Sequence, residues 1–414
     1  WRPTEESFME FYKEKIGDLK LRASYGILGS QAIGTYDRFT VYDVYDNSYA
    51  YNNKTVSGAG FKLGLENLTW EKTQTFNIGV DASFLQNSLT VTFDYFHKRT
   101  NDILMKPLIS SVFGTEMPMA NIGKMQNQGW DLSVNYRLKT GAFTHNFNFN
   151  LGDSWNKVLE FPGDEQITQV EELSRIIRVG VPLNSYYGYK MAGFFQSYDE
   201  IEASAIPVGA KVQPGDIKFV DRNDDGIIDS KDKFILGNAF PRYTFGFTYG
   251  LNWKGIDFSM FWQGVGKRDM MLRGELIEPY HANYSYTIYK HQLDFWTPTN
   301  TEARWPRLAA PGSDSNRNNY GNGNGSDLFL LDGKYLRLKN LTIGYTLPKE
   351  WTKHLGMQKA RLYINGQNLL TFSNNSFIDP ESSEFDSKMS TSGANSGRSY
   401  PTLRYFGFGV DIEF

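Results

Sequence analysis

The sequence feature that most constrains the fold is a strict alternation of apolar and polar residues in segments about ten residues long. The end of the chain shows this alternation most clearly, with apolar side chains at every second position: Phe406, Phe408, Val410, Ile412 and Phe414. Glycine, aspartate and glutamate occupy the positions between them. A two-residue period indicates a β-strand with one apolar face. Carboxylates on the other face suit a water-filled interior better than a buried protein core.

The alternation recurs in about ten segments along the chain. Residues 243–253 carry an aromatic residue or leucine at every odd position, and residues 256–262 continue the pattern after a short turn at Lys254 and Gly255. Further strands are predicted near residues 18–29, 70–85, 89–95, 128–139, 143–155, 335–347 and 360–365. Each is close to the ~9–11 residues that a strand needs to cross a membrane. We therefore predict an all-β fold, an antiparallel transmembrane β-barrel to which this chain contributes about ten strands.

The segments between the predicted strands are alternately short and long. Short ones lie at 86–88, 139–141, 254–255 and 348–359, and long ones at 30–69, 97–126, 156–241, 264–334 and 372–401. Short periplasmic turns and long extracellular loops are typical of membrane barrels. We predict that 156–241 is an extracellular excursion and that the Gly- and Asn-rich stretch 310–327 is a mobile loop. The alternative is a soluble all-β protein, whose loops are usually shorter.

Composition excludes several other classes of protein. Aromatic residues make up 15% of the chain, yet mean hydropathy is −0.47, so the chain is rich in rings but polar on average. There is no cysteine, which excludes disulfides, thiol catalysis and cysteine-bound zinc. The net charge is −3 and the basic residues do not form a stripe, which argues against a nucleic-acid partner. The histidines are scattered and no phosphate loop or dinucleotide motif occurs, so we predict neither an enzyme nor an organic cofactor.

One acidic segment has the spacing of a calcium-binding loop. Positions 1, 3, 5, 7, 9 and 12 of such a loop correspond to Asp221, Asn223, Asp225, Ile227, Asp229 and Asp232. Gly226 stands at position 6, where the loop turns sharply, and Ile227 would contribute its backbone carbonyl. The last ligand is Asp232 in place of the usual glutamate. The sequence predicts that Ca²⁺ braces an extracellular loop, and the alternative is a surface turn rich in Asp and Asn.

Loop aromatic residues are candidates for contacting a substrate. Rings can cover the apolar faces of sugars, and the candidates in the long loop 264–334 are Tyr280, Tyr284, Tyr286, Trp296 and Trp305. The alternative for each of them is packing within the loop or contact with a partner. Phe414 is a different case, because a terminal aromatic residue closing an alternating strand resembles the signal that the outer-membrane assembly machinery reads.

Several stretches, in order along nearly the whole chain, resemble one family. They are LKLRASYG at 19–26, LTWEKT at 68–73, NIGVD at 77–81, NIG at 121–123, NQG at 127–129, YGY at 187–189, GFFQ at 193–196, PGDIK at 214–218, DRNDDG at 221–226, YLRLKNL at 335–341 and NGQNL at 365–369. This ordered set resembles the C-terminal half of the barrel of SusC/RagA-type TonB-dependent transporters. The resemblance implies active import of oligosaccharides or peptides across the outer membrane of a Gram-negative bacterium of the Bacteroidota. It also implies two partners, TonB and a SusD-like surface lipoprotein that acts as a lid.

The chain departs from that family by what it lacks. It begins at Trp1, and no TonB box, plug domain or first half of the barrel is present in these 414 residues. We therefore expect a partial chain that cannot carry transport alone. Two other functions stay open: a passive porin-like channel, and a soluble or surface all-β module that binds glycans.

Overall fold

A computed structural model describes residues 1–31, 33–34, 36–65, 67–107, 117–281, 287–321, 323–354, 356–381 and 401–414. The strands are β1 Gly17–Ser30, β2 Val41–Tyr51, β3 Lys54–Lys62, β4 Glu71–Phe84, β5 Leu89–Met105, β6 Ala120–Thr140, β7 Phe143–Glu160, β8 Glu165–Val170, β9 Leu173–Arg178, β10 Ser185–Gly188, β11 Met191–Phe194, β12 Ile206–Pro207, β13 Ile217–Phe219, β14 Ile227–Ile228, β15 Phe234–Gly237, β16 Arg242–Trp253, β17 Ile256–Lys267, β18 Asp269–Met271, β19 Leu330–Asp332, β20 Tyr335–Thr346, β21 Lys359–Ser373 and β22 Tyr405–Glu413. The α-helices are short: α1 Glu10–Lys15, α2 Tyr198–Glu202, α3 Asp314–Tyr320 and α4 Lys349–Lys353. Single 3₁₀ turns are formed by Pro3–Glu5, Ser7–Met9, Ser230–Asp232, Gly274–Leu276, Lys290–Gln292 and Asp327–Phe329.

Ten strands form one large antiparallel sheet, which confirms the predicted fold class. Their order in the sheet is β1, β4, β5, β6, β7, β16, β17, β20, β21 and β22. The short connections lie at one edge of this sheet and the long ones at the other. Two of them have only two residues, and in one of these, Lys254-Gly255, both residues have positive φ (44° and 87°), as a two-residue turn between twisted strands requires. Lys359 pairs with Glu413, so the chain ends at the edge of the short turns.

The two faces of this sheet differ in polarity across neighbouring strands. Phe258 on β17, Ile343 on β20, Ile364 on β21 and Phe408 on β22 are successive partners along one row. The next row, shifted by one residue, runs from Asp257 through Gly344 and Tyr363 to Gly409. Because a slip of one residue would reverse every side chain, the apolar face holds all these strands in register.

Several strands are longer than the sequence predicted. β5, β6 and β7 contain 17, 21 and 18 residues, well beyond the ~9–11 that cross a membrane. The segment 97–126, predicted as a loop, is strand up to Met105 and again from Ala120. The prediction was wrong here because the strands keep pairing where both faces are polar, as Lys98 does with Asn127, and no apolar alternation marks them. The predicted loop 30–69 likewise contains the hairpin of β2 and β3.

The described residues of two long connections, 161–241 and 268–334, pack into one body. We call it the extracellular body, after the side of the membrane that the sequence analysis predicts for these loops. Its core takes buried side chains from both connections: Tyr189, Phe194, Ile217, Phe219, Ile228, Leu272, Leu276, Ile277, Trp296, Ala303, Trp305, Tyr320, Leu328 and Phe329. The stretch 310–327 contains α3, whose Asn319 and Tyr320 are buried. The prediction that this stretch is a mobile loop was therefore wrong, since its polar residues form buried hydrogen bonds rather than a solvated turn.

Candidate functional site

The polar face of the large sheet carries two arginine-centred networks that cross several strands. In the first, Arg22 on β1 binds Asp81 on β4 (Nε to Oδ2, 2.8 Å) and Asp94 on β5 (Nη1 to Oδ1, 2.8 Å). Gly79 lies on β4 between Arg22 and Asp94 in the register, and a Cβ added there would collide with Asp94 Oδ1. The missing side chain therefore gives Arg22 the space to reach across β4.

The second network repeats this arrangement at the other end of the sheet. Arg361 on β21 reaches over Gly344 on β20 to Asp257 on β17, with Nε–Oδ1 and Nη2–Oδ2 distances of 2.9 and 2.6 Å. It also binds Asp411 on β22 at 2.9 Å. We call this face the polar wall. The charges of these two networks are paired with one another.

A cavity lies between the extracellular body and the ends of β7, β16 and β17 that adjoin the long connections. Its volume is about 280 Å³, and its lining includes Trp155, Asn238, Arg242, Lys267 and Asp269. The Arg242 guanidinium lies 5.0 Å from the centre of the Trp155 ring and forms a paired contact with the Asp153 carboxylate. An aromatic face beside amide and charged groups can contact both the apolar and the polar parts of a water-soluble solute.

A buried ion-pair cluster fixes the segment that follows β21 to the wall. Arg337 on β20 donates to Asp379 Oδ1 at 2.6 Å and to Glu381 Oε2 at 2.7 Å. Burial alone would raise the pKa of Asp379, but hydrogen bonds from Thr402 and Arg337 outweigh it and lower the pKa from 3.8 to about 2. The sequence analysis missed this cluster. A weak signal of it is the arginine at a polar position of the β20 alternation, followed by acidic residues after the next strand.

The predicted calcium loop folds as a tight turn that uses its acidic residues as acceptors for its own backbone. Gly226 N donates to Asp221 Oδ2 at 2.8 Å, and Ile227 N donates to Asp225 Oδ1 at 3.0 Å. Asp232 is fully buried and accepts from the amides of Arg222 and Asp229. Asp221 Oδ1 is buried and has no hydrogen-bond partner among the described residues. This orphaned oxygen at position 1 fits a loop that binds a cation.

The aromatic candidates lie in different surroundings. Trp296 and Trp305 are only 7% and 3% exposed, and their indole N–H groups donate to Gln196 and His291 inside the body's core. Their ring faces are covered by protein because the loops around them pack together. For these two residues the structure favours packing within the loop over contact with sugars. Tyr280 is half-buried. Tyr284 and Tyr286 lie outside the described residues.

Phe414 and its strand lie at the edge of the large sheet. Phe414 is 78% exposed, and β22 pairs with β21 alone among the described strands. Its role as an assembly signal stays a prediction. Among the described residues, no helix is long and apolar enough to cross a membrane.

Comparison with known proteins places these features in one family. Residues 1–369 match the family described as TonB dependent receptor-like, beta-barrel. The chain is 33% identical over 434 residues to TonB-dependent receptor P26 of Formosa agariphila, covering 100% of this chain and 41% of that protein. It is 29% identical over 432 residues to TonB-dependent receptor SusC of Bacteroides thetaiotaomicron, covering 100% of this chain and 39% of that protein.

Solved structures share the fold. The RagAB peptide importer in its closed-closed state superposes with a TM-score of 0.76 at 23% identity, covering 100% of this chain and 42% of that chain. The structure of the RagAB peptide transporter gives a TM-score of 0.73 at 23% identity, with 96% and 41% covered. The chain thus spans about two fifths of the length of the relatives it matches. It belongs to the TonB-dependent receptor β-barrel family, whose members are outer-membrane proteins.

Proposed function

We propose that the protein containing this chain imports oligosaccharides or peptides across the outer membrane, with energy supplied through TonB. The observation that carries the proposal is a sheet of the TonB-dependent receptor family whose apolar face suits lipid and whose paired, hydrated wall suits water-soluble solutes. The cavity beside Trp155 is where we propose that a solute first contacts the wall. Tyr280, Tyr284 and Tyr286 remain candidates for further contacts. We propose no catalytic step.

We further propose a SusD-like surface lipoprotein as the partner that covers the extracellular body. Support comes from the similarity over the whole chain to the receptor named SusC and from the shared fold with RagAB. The body's packed core supports it too, because a lid needs a firm surface to close upon. Co-purification of the full-length protein from outer membranes tests the partner, and recovery without any lipoprotein would contradict it.

Calcium at 221–232 is part of the same proposal. Asp221, Asn223, Asp225, Asp229 and Asp232 would hold the ion with the Ile227 carbonyl, and the orphaned Asp221 Oδ1 supports this assignment. The two positive charges of the ion would offset half of the charge of the four neighbouring carboxylates, and the ion would brace the loop, whose β14 pairs with β12. No chemistry on a substrate is assigned to it.

The deciding experiment is uptake by cells that carry or lack the full-length gene. Labelled oligosaccharides and peptides are offered with and without a protonophore that removes the energy for TonB. Uptake that depends on both the gene and the energy source supports the importer. Gene-dependent uptake that survives the protonophore identifies the passive porin-like channel instead. Binding without uptake identifies the glycan-binding module.

A further inference from the structure

Two carboxylates and an imidazole meet inside the extracellular body, away from the calcium-type loop. One ligand atom each from Glu172, Glu278 and His281 lies within 4.8 Å of the others. The distance from Glu278 Oε2 to His281 Nε2 is 3.4 Å. Glu172 comes from the turn between β8 and β9, whereas the other two follow the 3₁₀ turn Gly274–Leu276 in the second connection.

The two carboxylates are held rigidly and almost without water. Glu172 is 3% exposed and accepts from the Gly274 amide at 3.0 Å. Glu278 is 8% exposed, and its other oxygen accepts from the Asn316 side-chain amide at 2.8 Å. Burial raises the pKa of Glu172 to about 8. The hydrogen bond from Gly274 acts in the opposite direction, and the charges of Glu171 and Glu278 act in the same direction as burial. Buried carboxylates this close together are costly unless a cation or a proton compensates them.

A buried hydroxyl without a partner lies on the helix that contacts Glu278. Tyr320 is 5% exposed, and its hydroxyl has no hydrogen-bond partner among the described residues. It lies four residues after Asn316 on α3, so both side chains share one face of that helix. Burial raises the pKa of Tyr320, and the charges of Glu278, Asp216 and Glu172 raise it further. The hydroxyl is therefore a buried polar group with nothing to bond, on the helix whose Asn316 holds Glu278.

We propose that Glu172, Glu278 and His281 bind a divalent transition-metal ion, with Zn²⁺ the best match, at the seam between the two connections. An imidazole and two carboxylates form a ligand set that zinc accepts, and the fourth position is open to a water. Zinc bonds of ~2.0–2.1 Å in a tetrahedron separate neighbouring ligand atoms by roughly 3.4 Å. That value agrees with the Glu278–His281 distance. Calcium and magnesium prefer oxygen ligands alone, so the imidazole disfavours them.

The position of the site assigns it a structural role. The turn that carries Glu172 already contacts the second connection through backbone bonds, from Gly325 N to Glu172 O and from Gly323 N to Glu171 O, both 2.9 Å. A metal would add a bond between the first connection, at Glu172, and the second, at Glu278 and His281. It would thereby cross-link segments separated by more than 100 residues and stiffen the body above the cavity.

The test uses the full-length protein, purified in detergent, stripped with a chelator and then offered Zn²⁺, Mn²⁺ or Ca²⁺. Glu278→Gln and His281→Gln each keep the side-chain volume nearly unchanged and remove one ligand. Glu202→Gln, an exposed carboxylate at the end of α2 in the same body, is the matched control. We expect the wild type and Glu202→Gln to bind one zinc more tightly than either ligand variant by at least ~10-fold, the usual effect of disturbing a metal site. Equal zinc affinity in all four proteins would overturn the proposal.

Misfolding of the ligand variants does not remove the test. Folding is checked by the heat-dependent mobility shift that intact barrels show on gels. If both variants fail this check, crystals of zinc-loaded wild type decide: anomalous density at the zinc edge among Glu172, Glu278 and His281 is expected. Absence of that density, or density only elsewhere on the surface, would show that the carboxylates are compensated by a proton and would refute the site.

Discussion

The substitution Gly344→Ala tests whether the polar wall depends on arginines that reach across a strand. Gly344 lies directly under the pair formed by Arg361 and Asp257. A Cβ at this position would stand 2.6 Å from Asp257 Oδ1 and 2.7 Å from Arg361 Nε, well inside the 3.4 Å at which ordinary contact begins. Because the glycine has an ordinary strand conformation, the substitution adds no backbone strain, and the damage falls on the ion pair.

The expected magnitude follows from the geometry of that pair. Two parallel charge-assisted hydrogen bonds, of 2.9 and 2.6 Å, join side chains that are 22% and 29% exposed. Bonds of this kind contribute about 1.5–3 kcal/mol each when buried, and partial exposure reduces the sum to about 2 kcal/mol. If this loss appears wholly in the unfolding barrier, unfolding accelerates about 30-fold at a fixed temperature.

The assay is the rate at which the folded band of the full-length protein converts to the unfolded band on gels at one elevated temperature. The matched control is Gly250→Ala on the same face, where an added Cβ has no neighbour nearer than 3.8 Å. In the background Arg361→Gln, the substitution at Gly344 should add little, because the pair is already broken. Equal unfolding rates for the two alanine variants would refute the argument.

Three further changes have defined outcomes. Phe408→Asp places a carboxylate at mid-strand on the apolar face, beside Ile364, and should cost roughly 1–3 kcal/mol and reduce assembled barrel; normal amounts of heat-modifiable protein would contradict that face assignment. Asp225→Ala should loosen the loop and remove one calcium per chain in a stoichiometry measurement, and an unchanged count would remove the calcium proposal. Asp379→Asn should destabilise the protein at pH 7 by about 2 kcal/mol, since the folded pKa of about 2 lies below 3.8. The difference in unfolding rate between Asp379→Asn and the wild type should be largest above pH 3.8 and should fade as the pH falls through 2. A difference that does not change with pH would argue against the ion pair.

The membrane strands could be predicted from the sequence because their two faces meet different solvents. β16 spans Arg242–Trp253, within one residue of the predicted 243–253, and the register of β17 through β22 keeps every apolar residue of the alternation on one face. The parts of β5 to β7 nearest the long loops do not meet a different solvent on each face. They carry polar residues on both faces, so no period marks where these strands end.

The contacts across the wall and the core of the body could not be predicted in the same way. Arg361 and Asp257 are 104 residues apart, and only the register of three strands brings them together. Trp296 and Trp305 have no strand or helix period around them, so their burial depends on how two separate connections pack. A ring in a loop has the same sequence environment whether it contacts a solute or lies in a core.

The polar wall and the cavity beside Trp155, here called the rim, differ in whether their charged groups are paired. Below, Arg22 and Arg361 are each held by two aspartates, so neither guanidinium is available for a new ion pair with a solute. Above, the cavity joins the Trp155 ring to Lys267, an exposed cation at the end of β17 with no ion-pair partner among the described residues. Such a cation can hold a solute, whereas the paired guanidinium groups release it. In the import that we propose, affinity therefore resides at the rim and the wall below serves passage.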